Sequence, residues 1–324
     1  MTGAAEPILS IRGLCTSFPG HGGVARAVDG VDLDVWPREC LGVVGESGSG
    51  KSITFLSVLG LVPPPAIVSA GRIAWQGRDL RGMPESDMRR LRGGEIGLTL
   101  QDALTALNPA LTVGTQITEA LAAHGTLHGA RARRARAAEL LRLVGIADPE
   151  RRLIAYPHEL SGGMRQRVMI ATALACGPKL LIADEPTTAL DVTVQAQVLE
   201  LMAELRDRLH MALVLITHNL GVVAEYCDRV AVMFAGQVVE TGPTAAVIAS
   251  PRHPYTQGLL ASLPRLEALD VPLRPIPGRM PDPRALPPGC RFAERCSARV
   301  AGCEMPQEMR PAGPDRAARC LLVA

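Results

Sequence analysis

The sequence predicts an α/β fold whose core is a mostly parallel β-sheet covered by helices on both faces. Five short apolar runs have the length and the Leu-rich or β-branched composition of buried strands. They are residues 41–45 (LGVVG), 95–100 (EIGLTL), 179–184 (KLLIAD), 212–217 (ALVLIT) and 229–234 (RVAVMF). Between the last three runs, apolar residues recur at helical spacing, as at Val194, Val198 and Leu201. Strands separated by helices in this way are typical of parallel sheets.

A helical stretch interrupts this alternation, and we predict a helical subdomain over about 103–176, inserted into the α/β core. It includes the Arg-rich run ARARRARAAELLRLVG at 130–145. Leu140, Leu141 and Val144 form one apolar stripe of that helix, and the arginines lie off the stripe. The formal charge of the whole chain is only +2. We therefore interpret the arginines as a solvated helix face and expect no nucleic acid as a partner.

The length of 324 residues is sufficient for one large domain and a smaller appendage. After about Leu263 the chain becomes Pro-rich and loses its periodicity, which indicates a change of domain. We predict a main domain over 1–250 and a C-terminal extension over 251–324. We expect no secretory signal, and no apolar run approaches the ~18–20 residues that cross a bilayer. Any link to a membrane is expected to come through a partner.

The stretch GESGSGKS at residues 45–52 matches the phosphate-loop pattern G-x-x-x-x-G-K-S. It follows an apolar strand and opens a predicted helix over 53–61, which is the context that the pattern requires. Such a loop directs backbone N–H groups at phosphates, and the helix N-terminus adds positive potential. We expect Lys51 to reach the β- and γ-phosphates of a nucleotide and the Ser52 hydroxyl to bind Mg²⁺. The other candidate phosphate-binding residues of the loop are Gly45, Ser47, Gly48 and Gly50.

Two acidic residues end another predicted strand, in the sequence LLIADE. Ligands of α/β sheets bind at the carboxyl edge of the strands, which is where this strand would place Asp184. We expect Asp184 to hold Mg²⁺ through water. Glu185 follows it and is positioned to polarise an attacking water molecule.

A second glycine-rich helix start lies in LSGGMRQR at residues 160–167, where Ser161 is the expected N-cap. Gly162 and Gly163 fall in the first turn of this helix. Such a helix start is a second surface suited to phosphate. Because one nucleotide does not need two of them, we interpret this surface as serving the nucleotide of another subunit.

In their order and spacing, these motifs resemble those of ATP-binding cassette (ABC) ATPases. The shared features are LSGGMRQR, the phosphate loop, the acidic strand end, Gln101 after a strand, TALD at 188–191 and THN at 217–219. The resemblance covers essentially the whole chain. It implies the core of a P-loop NTPase (RecA-like) with an inserted helical signature subdomain and an antiparallel N-terminal β subdomain.

The resemblance also implies ATP and Mg²⁺ as cofactors and hydrolysis of ATP to ADP and phosphate. It makes Glu185 the catalytic carboxylate and His218 a contact of the γ-phosphate. Gln101 would sense the metal and the attacking water and relay to the transporter, and Ser52, Gln101 and Asp184 would be the Mg²⁺ ligands. Phe18 falls where the family places an aromatic ring on adenine.

The family pairs two such ATPases head to tail, with ATP between the phosphate loop of one subunit and the signature of the other. Ser161, Gly162 and Gly163 would then act on the partner's nucleotide, and Asp191 would lie at the dimer seam. Because each site takes half of its donors from the neighbour, hydrolysis would require closure of the dimer.

Two classes of function remain at this point: a transporter ATPase on separate membrane subunits, and a soluble ABC ATPase acting on nucleic acid or the ribosome. A single cassette without a heptad run favours import. The tail, SPRHPYTQGLLASLP at 250–264 and the Pro-rich segment after it, resembles the C-terminal extension of oligopeptide and dipeptide import ATPases. The departures from that subfamily's pattern, none at a phosphate ligand, are Ala103, Leu104, Asn219 and Ser297.

This second resemblance implies a homologous second ATPase subunit, two transmembrane permease subunits and an extracytoplasmic substrate-binding protein. It implies that the chain lies at the cytoplasmic face of a bacterial membrane and powers uptake of dipeptides or oligopeptides. Nickel, glutathione and cationic peptides remain alternative cargoes of the same architecture.

Half of the eight cysteines lie in the tail, at Cys290, Cys296, Cys303 and Cys320. Their spacing fits neither the tight pairs of most zinc sites nor the runs of bacterial ferredoxins, so by itself it indicates only four thiolates at one metal centre. The resembled subfamily associates the matching cysteines with a four-iron, four-sulfur (4Fe–4S) cluster; Zn²⁺ and unliganded thiols remain open. We expect a metal staple for a segment too poor in apolar residues to fold alone. The arginines expected to offset the charge of a cluster are Arg291, Arg295, Arg299 and Arg319.

Overall fold

A computed structural model of the chain describes residues 6–125, 127–188, 190–262 and 275–323. The chain divides into two compact units, the first formed by residues 1–82 with 215–324 and the second by residues 83–214. The domain change predicted after Leu263, and Ala189 of the TALD motif, lie outside the described residues.

The strands of the described residues are β1 (Leu9–Gly20), β2 (Gly23–Val35), β3 (Cys40–Val44), β4 (Ile67–Ser69), β5 (Arg72–Trp75), β6 (Arg78–Asp79), β7 (Ile96–Thr99), β8 (Leu180–Asp184), β9 (Ala212–Thr217), β10 (Arg229–Phe234), β11 (Gln237–Pro243), β12 (Arg310–Gly313) and β13 (Arg316–Ala318). The helices are α1 (Lys51–Val58), α2 (Glu85–Gly94), α3 (Ala103–Ala106), α4 (Val113–Ala123), α5 (Ala130–Leu143), α6 (Pro149–Arg152), α7 (Gly162–Ala173), α8 (Val192–Leu209), α9 (Leu220–Tyr226), α10 (Thr244–Ala249) and α11 (Pro254–Ala261), with a 3₁₀ turn at Pro157–Glu159. Each of the five predicted strands is present, as β3 and β7 to β10.

The first unit contains an antiparallel sheet in the order β2-β1-β5-β6, with β4 also paired to β1. Leu9, Ile11 and Leu14 of β1 are completely buried, and Trp75 of β5 is only 1% exposed. Burial of these large side chains holds the sheet against its neighbours in the unit. The antiparallel N-terminal β subdomain that the family resemblance implied is therefore confirmed.

The second sheet of the first unit has the strand order β12-β13-β11-β10-β3-β9. β3 and β10 are parallel, whereas β10–β11, β11–β13 and β12–β13 are antiparallel. The sheet is therefore mixed, which corrects the prediction of a mostly parallel one. The antiparallel strands follow β10 in the sequence. The chain turns back between Phe234 and Gln237 to form β11, and the C-terminal extension then adds β13 to the edge of β11. These strands are too short or too polar to be visible as buried runs.

The second unit contains strands in the order β9-β8-β7, with β9 divided between the units at Val214. β7 and β8 are parallel, in register from Ile96 opposite Leu180 onward. Helices α3 to α7 lie in the stretch predicted to be a helical subdomain. In α5 and its C-cap the predicted stripe of Leu140, Leu141 and Val144 is buried, and most of the arginines of α5 are exposed. The interpretation of this helix as amphipathic is confirmed.

In the described parts of the chain, no helix has both the length and the apolar character needed to cross a membrane.

Candidate functional site

The phosphate loop connects β3, which ends at Val44, to α1, which begins at Lys51 rather than at the predicted residue 53. Gly48 and Gly50 have φ angles of 79° and 98°, in the region that favours glycine. A Cβ on Gly50 would lie 2.4 Å from the carbonyl oxygen of Ala27, so no larger residue fits there. The buried Nζ of Lys51 donates to the carbonyl oxygen of Gly45, at 2.8 Å. The lysine therefore lies along its own loop.

Residues far away in the sequence hold the first part of this loop. The Glu46 N–H donates to the hydroxyl of Tyr255 at 2.9 Å, and the Glu46 carboxylate accepts two hydrogen bonds from Arg295. Tyr255 is fully buried, and this burial raises the pKa of its phenol, so the hydroxyl stays neutral. Sequence reasoning missed this role for all three residues. No sequence pattern indicates it, because Tyr255 and Arg295 are 209 and 249 positions away from Glu46.

In the second unit, the acidic pair lies at the carboxyl end of β8. Asp184 is the last residue of the strand and is buried. Glu185 follows with a φ of 43°, a left-handed conformation that is uncommon for a residue with a side chain and is typical of functional sites. Its carboxylate accepts a hydrogen bond from Gln101 Nε2 at 2.9 Å and another from Thr188 Oγ1 at 3.1 Å. The structure thus brings Gln101 and Glu185 together; Thr188 was not predicted to take part.

The LSGGMRQR motif opens α7 as predicted, with Ser161 as the N-cap. The Ser161 Oγ accepts from the Met164 N–H at 3.3 Å, and both Ser161 and Gly162 are exposed. A Cβ on Gly163 would lie 2.7 Å from Cγ1 of Val194, so α7 and α8 begin side by side. Asp191 is exposed at the N-cap of α8, where it accepts from the Val194 N–H at 2.9 Å. These two helix starts present one accessible surface of the second unit.

Two further candidate residues lie in the first unit. His218 directly follows β9 and is exposed. Asn219 caps α9, accepting from the Gly221 N–H at 2.9 Å. Phe18 lies in β1 opposite Ala25 of β2 and is half-buried. The geometry leaves the imidazole of His218 and one part of the Phe18 ring accessible to a ligand.

The four cysteines of the tail line a single pocket of the first unit, together with His253 and Phe292. None of the four forms a disulfide; Cys303 and Cys320 are buried, and Cys290 and Cys296 are half-buried. Burial raises the pKa of the Cys290 and Cys296 thiols, and the neighbouring cysteines raise them further. In the part of the chain that the structure describes, however, no group of three or more His, Cys, Asp or Glu residues is arranged to hold a metal ion.

The metal staple predicted for the extension is therefore not supported, and contacts with the rest of the first unit hold the extension instead. Strand β13 pairs with β11, Arg291 donates to Asp29 and to the Ala235 carbonyl, and Arg316 pairs with the fully buried Glu240. Three of the four arginines expected to balance a cluster have protein partners as well, Arg291 among them. Arg319 donates to two backbone carbonyls, and Arg295 binds the phosphate loop.

A glycine-rich loop between a buried strand and a helix, set in a sheet with an acidic strand end, defines the P-loop nucleotide hydrolases. The first unit contains the loop of that class and the second contains the acidic strand end, and the comparisons with known proteins identify the family. A family model described as "ABC transporter" matches residues 28–188, and one described as "Oligopeptide/dipeptide transporter, C-terminal region" matches residues 239–303.

Curated relatives extend this match over almost the whole chain. A putative peptide import ATP-binding protein of Brucella abortus (strain 2308) is 51% identical over 314 residues, which is 97% of this chain and 94% of that protein. The dipeptide transport ATP-binding protein DppD of Bacillus subtilis (strain 168) is 50% identical over 300 residues, or 92% of this chain and 89% of that protein. The chain therefore belongs to the ABC transporter family, as an ATP-binding cassette ATPase.

A solved structure agrees with this assignment. The ATP-binding cassette MJ0796, in a dimeric post-hydrolysis state bound to ADP and Pi, superposes with a TM-score of 0.65 at 25% identity. The match covers 73% of this chain and 98% of that one. The cassette fold is thereby confirmed.

Proposed function

We propose that the chain is the ATP-hydrolysing subunit of a bacterial importer of dipeptides or oligopeptides. The observation that carries the peptide assignment is the 51% identity to a putative peptide import ATP-binding protein over 97% of the chain. The similarity includes the tail, which a family model of oligopeptide/dipeptide transporters matches to residue 303.

The proposed catalytic roles follow the chemistry of each side chain. Lys51 and the N–H groups of the loop (Gly45, Ser47, Gly48 and Gly50) bind the phosphates, and Phe18 stacks on the adenine. The Ser52 hydroxyl, the Asp184 carboxylate and the Gln101 amide supply the oxygen donors that Mg²⁺ prefers. When bound, Mg²⁺ would neutralise charge on the β- and γ-phosphates. The described residues fit this group, because Asp184 is a buried carboxylate at a strand end.

Glu185 is proposed to orient and polarise the attacking water, with His218 as the contact to the γ-phosphate. The hydrogen bond from Gln101 supports this role, because it restricts the Glu185 carboxylate to one orientation. The left-handed backbone of Glu185 supports it too, since strain of this kind persists where function requires it. Gln101 would report the state of the site to a transporter subunit.

Ser161, Gly162 and Gly163 are proposed to act on the nucleotide of a second ATPase subunit, with Asp191 at the seam between the two. The support is the exposure of Ser161, Gly162 and Asp191 at two adjacent helix starts. Backbone N–H groups at an exposed helix N-terminus attract phosphate. The second subunit is proposed to be homologous to this chain but not identical. Two permease subunits and an extracytoplasmic binding protein would complete an importer on the cytoplasmic face of the membrane.

Replacing Glu185 by Gln tests the ATPase assignment. We expect hydrolysis by the assembled importer to fall ~100-fold or more, because the carboxylate that polarises water is lost. ATP binding should persist, since Glu185 contributes no phosphate contact. Glu200→Gln, the same change on an exposed face of α8, is the matched control. Turnover of Glu185→Gln at the rate of the control would exclude Glu185 from catalysis, and peptide uptake by membrane vesicles tests the cargo.

We propose in addition that Cys290, Cys296, Cys303 and Cys320 hold an iron–sulfur cluster. The support is the chemistry of the donors: four thiols, none in a disulfide, lining one pocket. Anaerobic purification followed by absorption spectroscopy and iron and sulfide analysis tests the proposal. A colourless protein without iron, whether it contains stoichiometric zinc or only free thiols, would reject it.

A further inference from the structure

The C-terminal extension contacts the phosphate loop through one arginine. Arg295 Nη1 and Nη2 lie 2.9 and 3.0 Å from the two carboxylate oxygens of Glu46, in a two-pronged ion pair. The Arg295 side chain is only 7% exposed and that of Glu46 is 30% exposed. A partly buried, bidentate pair of this kind is both stronger and more directional than a surface ion pair.

The guanidinium of Arg295 is itself fixed on its other sides. Nε donates to the carbonyl oxygen of Pro277 at 2.7 Å. The guanidinium carbon lies 5.6 Å from the ring centroid of Phe234 and 5.8 Å from that of Phe292, within range of cation–π attraction. Arg295 therefore presents its two Nη atoms to Glu46 from a rigid position.

Glu46 in turn contacts Lys51, the residue proposed to bind the phosphates. Its N–H donates to Tyr255, and its carbonyl oxygen accepts from Nζ of Lys51 at 3.0 Å. The main chain and side chain of Glu46 are thus both held from outside the loop, and Lys51 is bonded to the residue so held. Ordering a loop before its ligand arrives lowers the entropy that binding costs.

We propose that Arg295 is a positioning residue for nucleotide binding: through Glu46 it holds the phosphate loop in its binding conformation. Affinity for ATP then depends on the C-terminal extension, although Arg295 does not touch the nucleotide. The proposal rests on the assignment of Lys51 to the phosphates. A role confined to anchoring the tail would instead lower the stability of the chain when the pair is lost and leave the affinity of the folded chain for Mg-ATP unchanged.

The test measures the Kd of Mg-ATP for the full chain with Arg295→Met, Glu46→Gln and both changes. We expect each single change to raise the Kd about fivefold to tenfold, since a charge-assisted pair is lost. The double change should raise it no further than either single change, because both break the same pair. Arg295→Lys, which keeps the charge without the fork, should recover part of the affinity. In the assembled importer the KM for ATP should rise by the same factor, with kcat at saturating ATP unchanged.

Glu46→Gln keeps the contacts of Arg295 with Pro277 and the two rings, so it remains informative if Arg295→Met folds poorly. Arg299→Met, an exposed arginine of the same tail, is the control and should leave the Kd within twofold of the wild type. A Kd unchanged by Glu46→Gln, additive effects in the double variant, or a fall in kcat at constant KM would each overturn the proposal. Lys51→Ala tests the underlying function separately: retained Mg-ATP affinity there contradicts the Lys51 assignment itself, whatever Arg295 does.

Discussion

Arg291 joins the C-terminal extension to the rest of the first unit, so replacing it tests which contacts hold the extension in place. Its side chain is 6% exposed, and it donates to the Asp29 carboxylate and to the carbonyl oxygen of Ala235. Burial lowers the pKa of this guanidinium, and Asp29 opposes that shift. Arg291→Met removes the charge and both hydrogen bonds while keeping most of the apolar stem.

The size of the effect follows from the exposure of the partner. Removing one member of a fully buried ion pair costs ~3–5 kcal/mol, because the other charge stays unpaired. The Asp29 side chain is 29% exposed and regains part of its hydration, so the cost falls below this range. We expect Arg291→Met to lower the free energy of unfolding by about 2–3 kcal/mol.

Urea unfolding of the full chain, followed by tryptophan fluorescence, measures this change. Both tryptophans, Trp36 and Trp75, lie in the first unit, as Arg291 does. Arg284→Met is the matched control, because Arg284 forms an exposed pair with Asp282 in the same tail and should cost less than about 0.5 kcal/mol. Equal effects of the two changes would refute the conclusion that protein contacts anchor the extension.

Three further predictions concern the start of α7, the start of α1 and the cysteine pocket. Ser161→Arg should abolish hydrolysis at the partner's site and leave ATP binding by this chain intact; loss of its own binding would contradict action in trans. Gly50→Ala should lose ATP binding in a titration, because the new Cβ meets Ala27, whereas Gly48→Ala, with open space around it, bears only backbone strain; equal losses would exclude the steric argument. Burial lowers the pKa of His253 to about 4, so the folded protein resists a proton that the unfolded chain takes up below about pH 6.5. Between pH 7.5 and 4, urea titrations should show the wild type losing about 3 kcal/mol more stability than His253→Asn. The asparagine keeps an oxygen acceptor for the Tyr255 N–H. Equal losses of stability in the two proteins would show that His253 is not responsible.

Local patterns predicted much of the cassette, because those patterns are themselves the physical causes of the elements. A run such as KLLIAD forms a buried strand wherever both faces of a sheet are covered, and it does so in β8. The N-cap at Ser161 was predictable because a serine side chain three residues before an unsatisfied N–H can satisfy it in any context. The phosphate loop was predictable because its glycines permit φ angles that other residues resist.

Elements that depend on a distant partner were not predictable. Strand β13 has three residues and no apolar alternation, and it exists because the edge of β11 offers unpaired backbone groups, at Glu240 and Thr241. The arginines of the tail were predicted to balance a cluster because the sequence shows only that they lie near cysteines. Two of them instead pair with carboxylates more than 200 residues away, Arg291 with Asp29 and Arg295 with Glu46.

The sequence by itself determined the class of the protein and the candidate residues of its site, since the phosphate loop, the acidic strand end and LSGGMRQR are each patterns of a few neighbouring residues. Only the tertiary structure decided how those groups are held. The hydrogen bond from Gln101 to Glu185 joins residues 84 positions apart, and the ion pair between Glu46 and Arg295 joins residues 249 positions apart. The physical reason is that the energy of such a pair depends on its distance and its burial, and both are properties of the folded chain.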